Sequence, residues 1–202
     1  MKRFFAVCFL LFISISCMYS VDKGDIYDDN DLTYQRNAKG DQFIKVDAMA
    51  LFPLNFGSRL YVGGAIDLGY YRYLNSLFAI GGEISATYNV SIGKKSLIMV
   101  PFTLGGMVVP SIGNFEFPIS LGLGIGYETW SSKNYFPSFA LKATAGADYR
   151  VNDSWSFGIS TSFLWIPQYY TNTYETYNSF YYTIPDTHGL FLTAAIGMKY
   201  HF

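Results

Sequence analysis

From Asp41 to Phe202 apolar and polar positions alternate along most of the chain. Over 42–54, Ile44, Val46, Ala48, Ala50 and Phe52 fall on one face and Lys45 and Asp47 on the other. A period of two is that of a β-strand whose faces meet different environments. Seven further segments repeat it, near 59–71, 77–91, 97–109, 115–128, 138–150, 155–166 and 188–202. The second sets Leu60, Val62, Ile66, Leu68 and Tyr70 against Tyr61, Gly63, Asp67 and Gly69. The fifth is the most regular, with Phe115, Phe117, Ile119, Leu121, Leu123, Ile125 and Tyr127 opposite Glu116, Ser120, Gly122, Gly124, Gly126 and Glu128. The fourth is the least regular. It carries Leu97, Met99 and Met107 on the face that should be polar, and Pro101, which cannot donate to a ladder, calls for a bulge or irregularity.

Eight such segments joined by turn-like breaks predict an all-β, eight-stranded antiparallel up-and-down β-barrel. Alternation alone does not say which face is outside, since a soluble lipocalin-like barrel alternates with its apolar residues inward. The polar faces decide. They are mostly Gly, Ser, Thr and Ala with one or two charges per strand, which suits a narrow lumen better than a solvated exterior. Charged residues are 14% of the chain against about 25% in soluble domains, while aromatics reach 19%. The apolar faces finish on Tyr70, Tyr88, Tyr127, Tyr149, Trp155, Trp165 and Tyr200, as interfacial girdles do. Beyond the first fifteen residues no apolar run is long enough for a transmembrane helix. The expectation is therefore a transmembrane barrel, apolar side out.

The chain begins with Lys2-Arg3, an apolar stretch from Phe4 to Ile15 and small residues at Ser14, Ser16 and Ser20, the order of a secretory signal peptide over 1–20. Both cysteines, Cys8 and Cys17, lie there. Cleavage after Ser20 leaves no thiol chemistry; cleavage after Ser16 exposes Cys17 for lipid attachment. Residues 21–41 read as an acidic periplasmic linker, and Asp22, Asp25, Asp28, Asp29 and Asp31 lack the order of a calcium loop. The barrel is assigned to 42–202. Net charge moves from −1 to −3 on loss of Lys2 and Arg3, and with no basic cluster beyond Lys94-Lys95 nothing points to nucleic acid.

The terminal strand ends on Gly197, Tyr200 and Phe202, which resembles the C-terminal β-signal of bacterial outer-membrane barrels, with Ala195 where a polar residue is usual. The resemblance implies that the barrel-assembly machinery reads this strand and that outer-membrane lipid surrounds the protein. Signal, eight alternating strands and terminal Phe together resemble the small OmpA/OmpX/OmpW-type barrels. Asp41-Gln42-Phe43-Ile44-Lys45 through Phe52-Pro53-Leu54-Asn55-Phe56 looks like outer-membrane barrels of spirochaetes. Location and fold follow from such a resemblance more readily than activity.

Strand parity points Lys45, Asp47, Asp67, Glu83, Glu116, Glu128, Lys142, Asp148, Arg150 and Lys199 into the lumen. Such charges either pair into a structural plug or line a narrow pore. A periplasmic N-terminus puts the longest connection, Pro167–Thr187, outside the cell. It carries Tyr169, Tyr170, Tyr174, Tyr177, Tyr181 and Tyr182, and tyrosines suit contact with an extracellular ligand. Neither a catalytic set, a cofactor motif nor metal-ligand spacing is legible. His188, with Ser179 nearby, reads as a loop histidine, and His201 is expected at the periplasmic end. Two roles remain: a structural or surface-interaction (adhesin-like) barrel, or an OmpW-like channel for small or hydrophobic solutes.

Overall fold

The computed structural model describes residues 37–55, 60–130, 133–167, 173–177, 180–184 and 189–202, with strand backbone alone at Lys133, 173–177 and 180–184. The chain divides into Met1–Tyr34 and Gln35–Phe202, and the described residues all belong to the second unit. Residues 1–20, read as a signal peptide, and most of the segment read as an acidic linker lie outside them.

Eight strands form the wall: β1 (Gln42–Pro53), β2 (Gly63–Tyr73), β3 (Phe78–Val90), β4 (Ser96–Val108), β5 (Ile119–Trp130), β6 (Lys133–Arg150), β7 (Trp155–Trp165) and β8 (Leu190–His201). Each pairs antiparallel with the next, and β8 returns to β1, from Phe43↔His201 to Pro53↔Phe191. Closure leaves the wall no open edge, the condition for strands that cross hydrocarbon. The faces fall as the alternation predicts. Ile66, Leu104, Leu121, Leu123 and Ile196 are all at least half exposed outward, while Lys45, Asp67, Glu83, Lys142 and Lys199 are buried inward.

Several boundaries differ from the sequence reading. β2 begins at Gly63 rather than near 59, with Leu60 held only by an isolated bridge to Ser91. Leu60 is buried and Tyr61 exposed, the reverse of their expected faces, because both precede the strand and the loop turns Leu60 over the barrel's end. β5 starts at Ile119, not 115. Pro118 has no N–H to give, so the ladder pauses there, and Phe115–Glu116 form a short pair with Ser111–Ile112. β6 begins at Lys133, five residues early, and its register with β5 shifts between Gly126 and Glu128, beside Pro137. Pro101 keeps its place opposite Gly126 on β5, and β3–β4 pairing lapses between Ile84↔Phe102 and Thr87↔Met99 without a change of register. The long 7–8 connection holds an unforeseen hairpin, Thr173–Tyr177 with Phe180–Ile184, paired from Thr173↔Ile184 to Tyr177↔Phe180.

The lumen is layered. Along β1 from the turn end its inward residues are Phe43, Lys45, Asp47, Met49 and Leu51. Phe43 joins Tyr71, Tyr73, Ala79, Met107 and Val109 in one apolar cluster. Leu51 joins Leu60, Leu97, Met99, Trp130, Ala140, Leu164, Ile166 and Phe191 at the other end. The inward apolar residues that spoiled the alternation of the fourth strand, together with Phe191, thus pack as two seals with charge between them.

Candidate functional site

The charges between the seals converge from opposite walls. Lys45 of β1 puts its Nζ 2.7 Å from Glu83 Oε1, 3.2 Å from Asp67 Oδ2 and 3.2 Å from Asp47 Oδ2. Lys142 comes from β6, diametrically opposite β2, and reaches Glu83 Oε2 at 2.6 Å and Asp67 Oδ2 at 2.9 Å. Glu83 therefore gives one carboxylate oxygen to each lysine. Tyr71 donates to its Oε1 at 2.8 Å, and Ser85 donates to Asp67 Oδ1 at 2.5 Å. Asp47 and Asp67 stand directly opposite in the β1–β2 ladder; like charges so placed repel unless cations lie between them.

Glycine makes this geometry attainable. Gly69 sits between Lys45 and Glu83 in the ladders, and a Cβ there would lie 3.3 Å from Glu83 Cγ and 3.4 Å from Lys45 Cε, so the two long side chains meet across it. Gly197 faces Asp47, and its Cβ would fall 1.9 Å from Asp47 Oδ1. Gly197→Ala is expected to push Asp47 away from Lys45 and cost about 1–3 kcal/mol, the range for strain in a packed interior. A urea titration of the refolded protein measures it; an unchanged midpoint would mean that Asp47 moves freely.

Toward the turn end the remaining charges pair in turn. Lys199 Nζ meets Asp148 and stands 5.0 Å from the centre of the Phe43 ring. Arg150 Nη1 donates to Glu116 Oε1 at 3.0 Å and to Asn37 Oδ1 at 2.7 Å, while Asn37 Nδ2 reaches Glu116 Oε1 at 3.3 Å. Burial alone would raise the Glu116 carboxyl, but Lys199 and Arg150 outweigh it and hold it below the ordinary range. Asn37 belongs to the segment read as a solvated linker, yet it is 3% exposed. Gly40 N and Asp41 O extend the pairing to Tyr73, which draws this end of the segment into the mouth. No pattern in the sequence singled out Asn37. Asn37→Ala would leave Arg150 one acceptor short and is expected to cost about 1–3 kcal/mol, read as a lower melting point of the SDS-resistant form.

His201, at the end of β8, lies inside the mouth, 6% exposed, with Nε2 2.9 Å from Ser156 Oγ and its ring 5.4 Å from that of Phe43. The sequence offered the odd parity of His201 but not its partner. Glu128 is buried at the loop end, away from the central network. His188 and Ser179 lie outside the described residues, as do Tyr169 and Tyr170; Tyr174, Tyr177, Tyr181 and Tyr182 fall in the loop hairpin. In the terminal motif Tyr200 and Phe202 are exposed on the outer wall, their rings stacked at 6.0 Å.

Among the described residues four buried cations, Lys45, Lys142, Arg150 and Lys199, thus pair with five buried carboxylates, Asp47, Asp67, Glu83, Glu116 and Asp148. The void lined by Lys45, Asp47, Asp148 and Lys199 is ≈ 20 Å³, on the order of one water. Such a network braces the wall from within. No group of His, Cys, Asp and Glu among the described residues is arranged to hold a metal ion.

Solved structures share this architecture. Neisserial surface protein A aligns with 81% of this chain and 99% of its own, at a TM-score of 0.63 and 10% identity. The outer membrane protein OprG from Pseudomonas aeruginosa aligns over 83% and 99%, at 0.56 and 12%. The chain has the fold of the small eight-stranded outer-membrane β-barrels. Ail, the attachment invasion locus protein of Yersinia pestis, is a further barrel of this kind, at a TM-score of 0.52 and 15% identity over 81% of this chain and 99% of its own. At these identities the likeness to each is one of fold. A protein-family model matches residues 22–200, so this barrel's family takes in the acidic segment as well as the wall. Two uncharacterized proteins of Treponema pallidum (strain Nichols) are similar in sequence, one 30% identical over 100 residues and one 20% identical over 117. Those matches take in 50% and 54% of this chain but only 45% and 40% of the relatives' own length. Treponema is a spirochaete, in keeping with the resemblance carried by Asp41–Phe56.

Proposed function

We propose that this barrel resides in a bacterial outer membrane and acts at its loop end, as a structural or surface-interaction protein with a closed lumen. The observation that supports the reading is the filling of the lumen: a paired charge network between two apolar seals, with a ≈ 20 Å³ void beside the charges. A solute would have to displace Leu51, Trp130 and Phe191 and then part Glu83 from two lysines. Contact with the outside then falls to the connections, of which 167–187 is the longest and carries the tyrosines. In this reading Ail and Neisserial surface protein A, named for attachment and for the cell surface, are the apt comparisons. The terminal strand, with Gly197, Tyr200 and Phe202, is what the assembly machinery would recognise.

The test pairs two measurements on the refolded barrel. In planar bilayers it should give no conductance above that of lipid alone, and deletion of 170–185 should abolish adhesion to host cells while the SDS gel shift survives. Steady conductance that persists in the deletion variant would overturn the closed-lumen reading in favour of a narrow channel for small or hydrophobic solutes.

A further inference from the structure

The connection between β4 and β5 does more than reverse the chain. After the pause at Pro110 and Pro118 the two strands resume pairing in the same register, Ser111↔Glu116 and Ile112↔Phe115, and turn through Gly113, whose φ is +61°. The β3 side has no counterpart: that ladder closes with Val109 N donating to Leu77 O. The hairpin therefore runs past its β3 neighbour. Its two faces differ sharply. Inward, Glu116 is 2% exposed and bound by Arg150 and Asn37. Outward, Ile112 is 72% exposed and Phe115 51%, with Phe117 next in the row. Phe115 pairs with Tyr149 of β6 and meets its ring edge-on at 5.1 Å. Ile112, Phe115 and Tyr149 thus form one outward row that continues the apolar wall beyond the eight strands.

We propose that this hairpin is an interfacial anchor, its outward row of Ile112, Phe115 and Phe117 lying against lipid at the acyl–headgroup boundary of the leaflet at the turn end. The occupant is lipid because the row is continuous with the wall's outer face and carries no charge. The depth follows from the rest of the hairpin. The polar Gly113-Asn114 tip sits badly in hydrocarbon, whereas the apolar row sits badly in water, and the boundary accommodates both. The Arg150–Glu116–Asn37 clasp on the opposite face fixes the row's orientation, so the hairpin meets the bilayer as a rigid paddle. The proposal rests on the membrane reading above, and the experiment separates the two.

Nitroxide labels placed by Ile112→Cys, Ile66→Cys and Asp153→Cys, each in a full-length chain carrying Cys8→Ser and Cys17→Ser, would be read in phosphatidylcholine vesicles. Accessibility to oxygen marks lipid and accessibility to a nickel chelate marks water. Ile66 lies outward on β2 and reports the wall; Asp153, in the exposed β6–β7 turn, reports water. The expected result is an oxygen-to-nickel ratio at Ile112 below that at Ile66 and well above that at Asp153; a ratio equal to that at Ile66 would overturn the boundary placement. A ratio at Ile112 matching Asp153, with Ile66 still oxygen-accessible, overturns the anchor and leaves the barrel in the bilayer. A nickel-accessible Ile66 overturns both.

Discussion

Lys142→Ala is expected to destabilise the refolded barrel by about 3–5 kcal/mol, the cost of stranding buried charge by removing one partner of a buried pair. Three carboxylates, Asp47, Asp67 and Glu83, would be left around Lys45 alone, and Glu83 Oε2 and Asp67 Oδ2 would each lose a cation within 3 Å. The effect should also be structural. Lys142 is the strut between β6 and the β2–β3 side of the wall, and its loss removes a tie across the lumen rather than one between neighbours. A urea titration in lipid vesicles, followed by the gel shift between unboiled and boiled samples, reads the loss. Adding Glu83→Gln to Lys142→Met should recover much of it, because removing both partners relieves the stranded charge. A change within the ±0.5 kcal/mol or so of an ordinary surface substitution would mean that water or a shift of Lys45 satisfies the carboxylates, and that the network does not brace the wall.

The network shows how far a sequence can be read. Parity alone puts Lys45, Asp47, Asp67, Glu83, Lys142 and Lys199 inside, because a strand has only two faces. Partner choice is another matter. Lys142 meets Asp67, 75 positions earlier in the chain, and that depends on which strands face each other across a closed barrel and on how far each side chain reaches. The departures from alternation held information of their own. Leu97, Met99 and Met107 looked like faults in the pattern, yet they pack into the apolar seals of the lumen. Elsewhere the pattern misled for a physical reason. Phe115 and Phe117 keep the parity of β5 through Pro118, so alternation counts them in the strand although the ladder pauses at the missing N–H. Leu60 has the spacing of β2 but sits in a loop, where parity has no meaning. Asn37 gives no signal at all, since a lone amide beside an acidic run is indistinguishable from solvated chain until Arg150 and Glu116 are seen around it.

The outward apolar face should meet hydrocarbon, and Leu123→Arg tests this directly. Leu123 lies mid-way along β5, 54% exposed, opposite Leu104 on one side and Leu141 on the other. If this face meets hydrocarbon, an arginine there should cost about 2–4 kcal/mol in vesicles, falling to about 0–1 kcal/mol near the interface. Ile112→Arg supplies that second point, because the hairpin is placed at the boundary and its guanidinium could reach the headgroups. The contrast between the two sites matters more than either value, since both are exposed apolar residues in a β-structure and differ chiefly in depth. A water-soluble barrel would treat them alike, each within the small range of surface substitutions, and would keep its fold without detergent. That outcome would mean that the outward apolar face does not meet hydrocarbon. A large loss at Leu123 with little at Ile112 has no counterpart in water, because only a bilayer makes the penalty for a charge depend on position along the barrel axis.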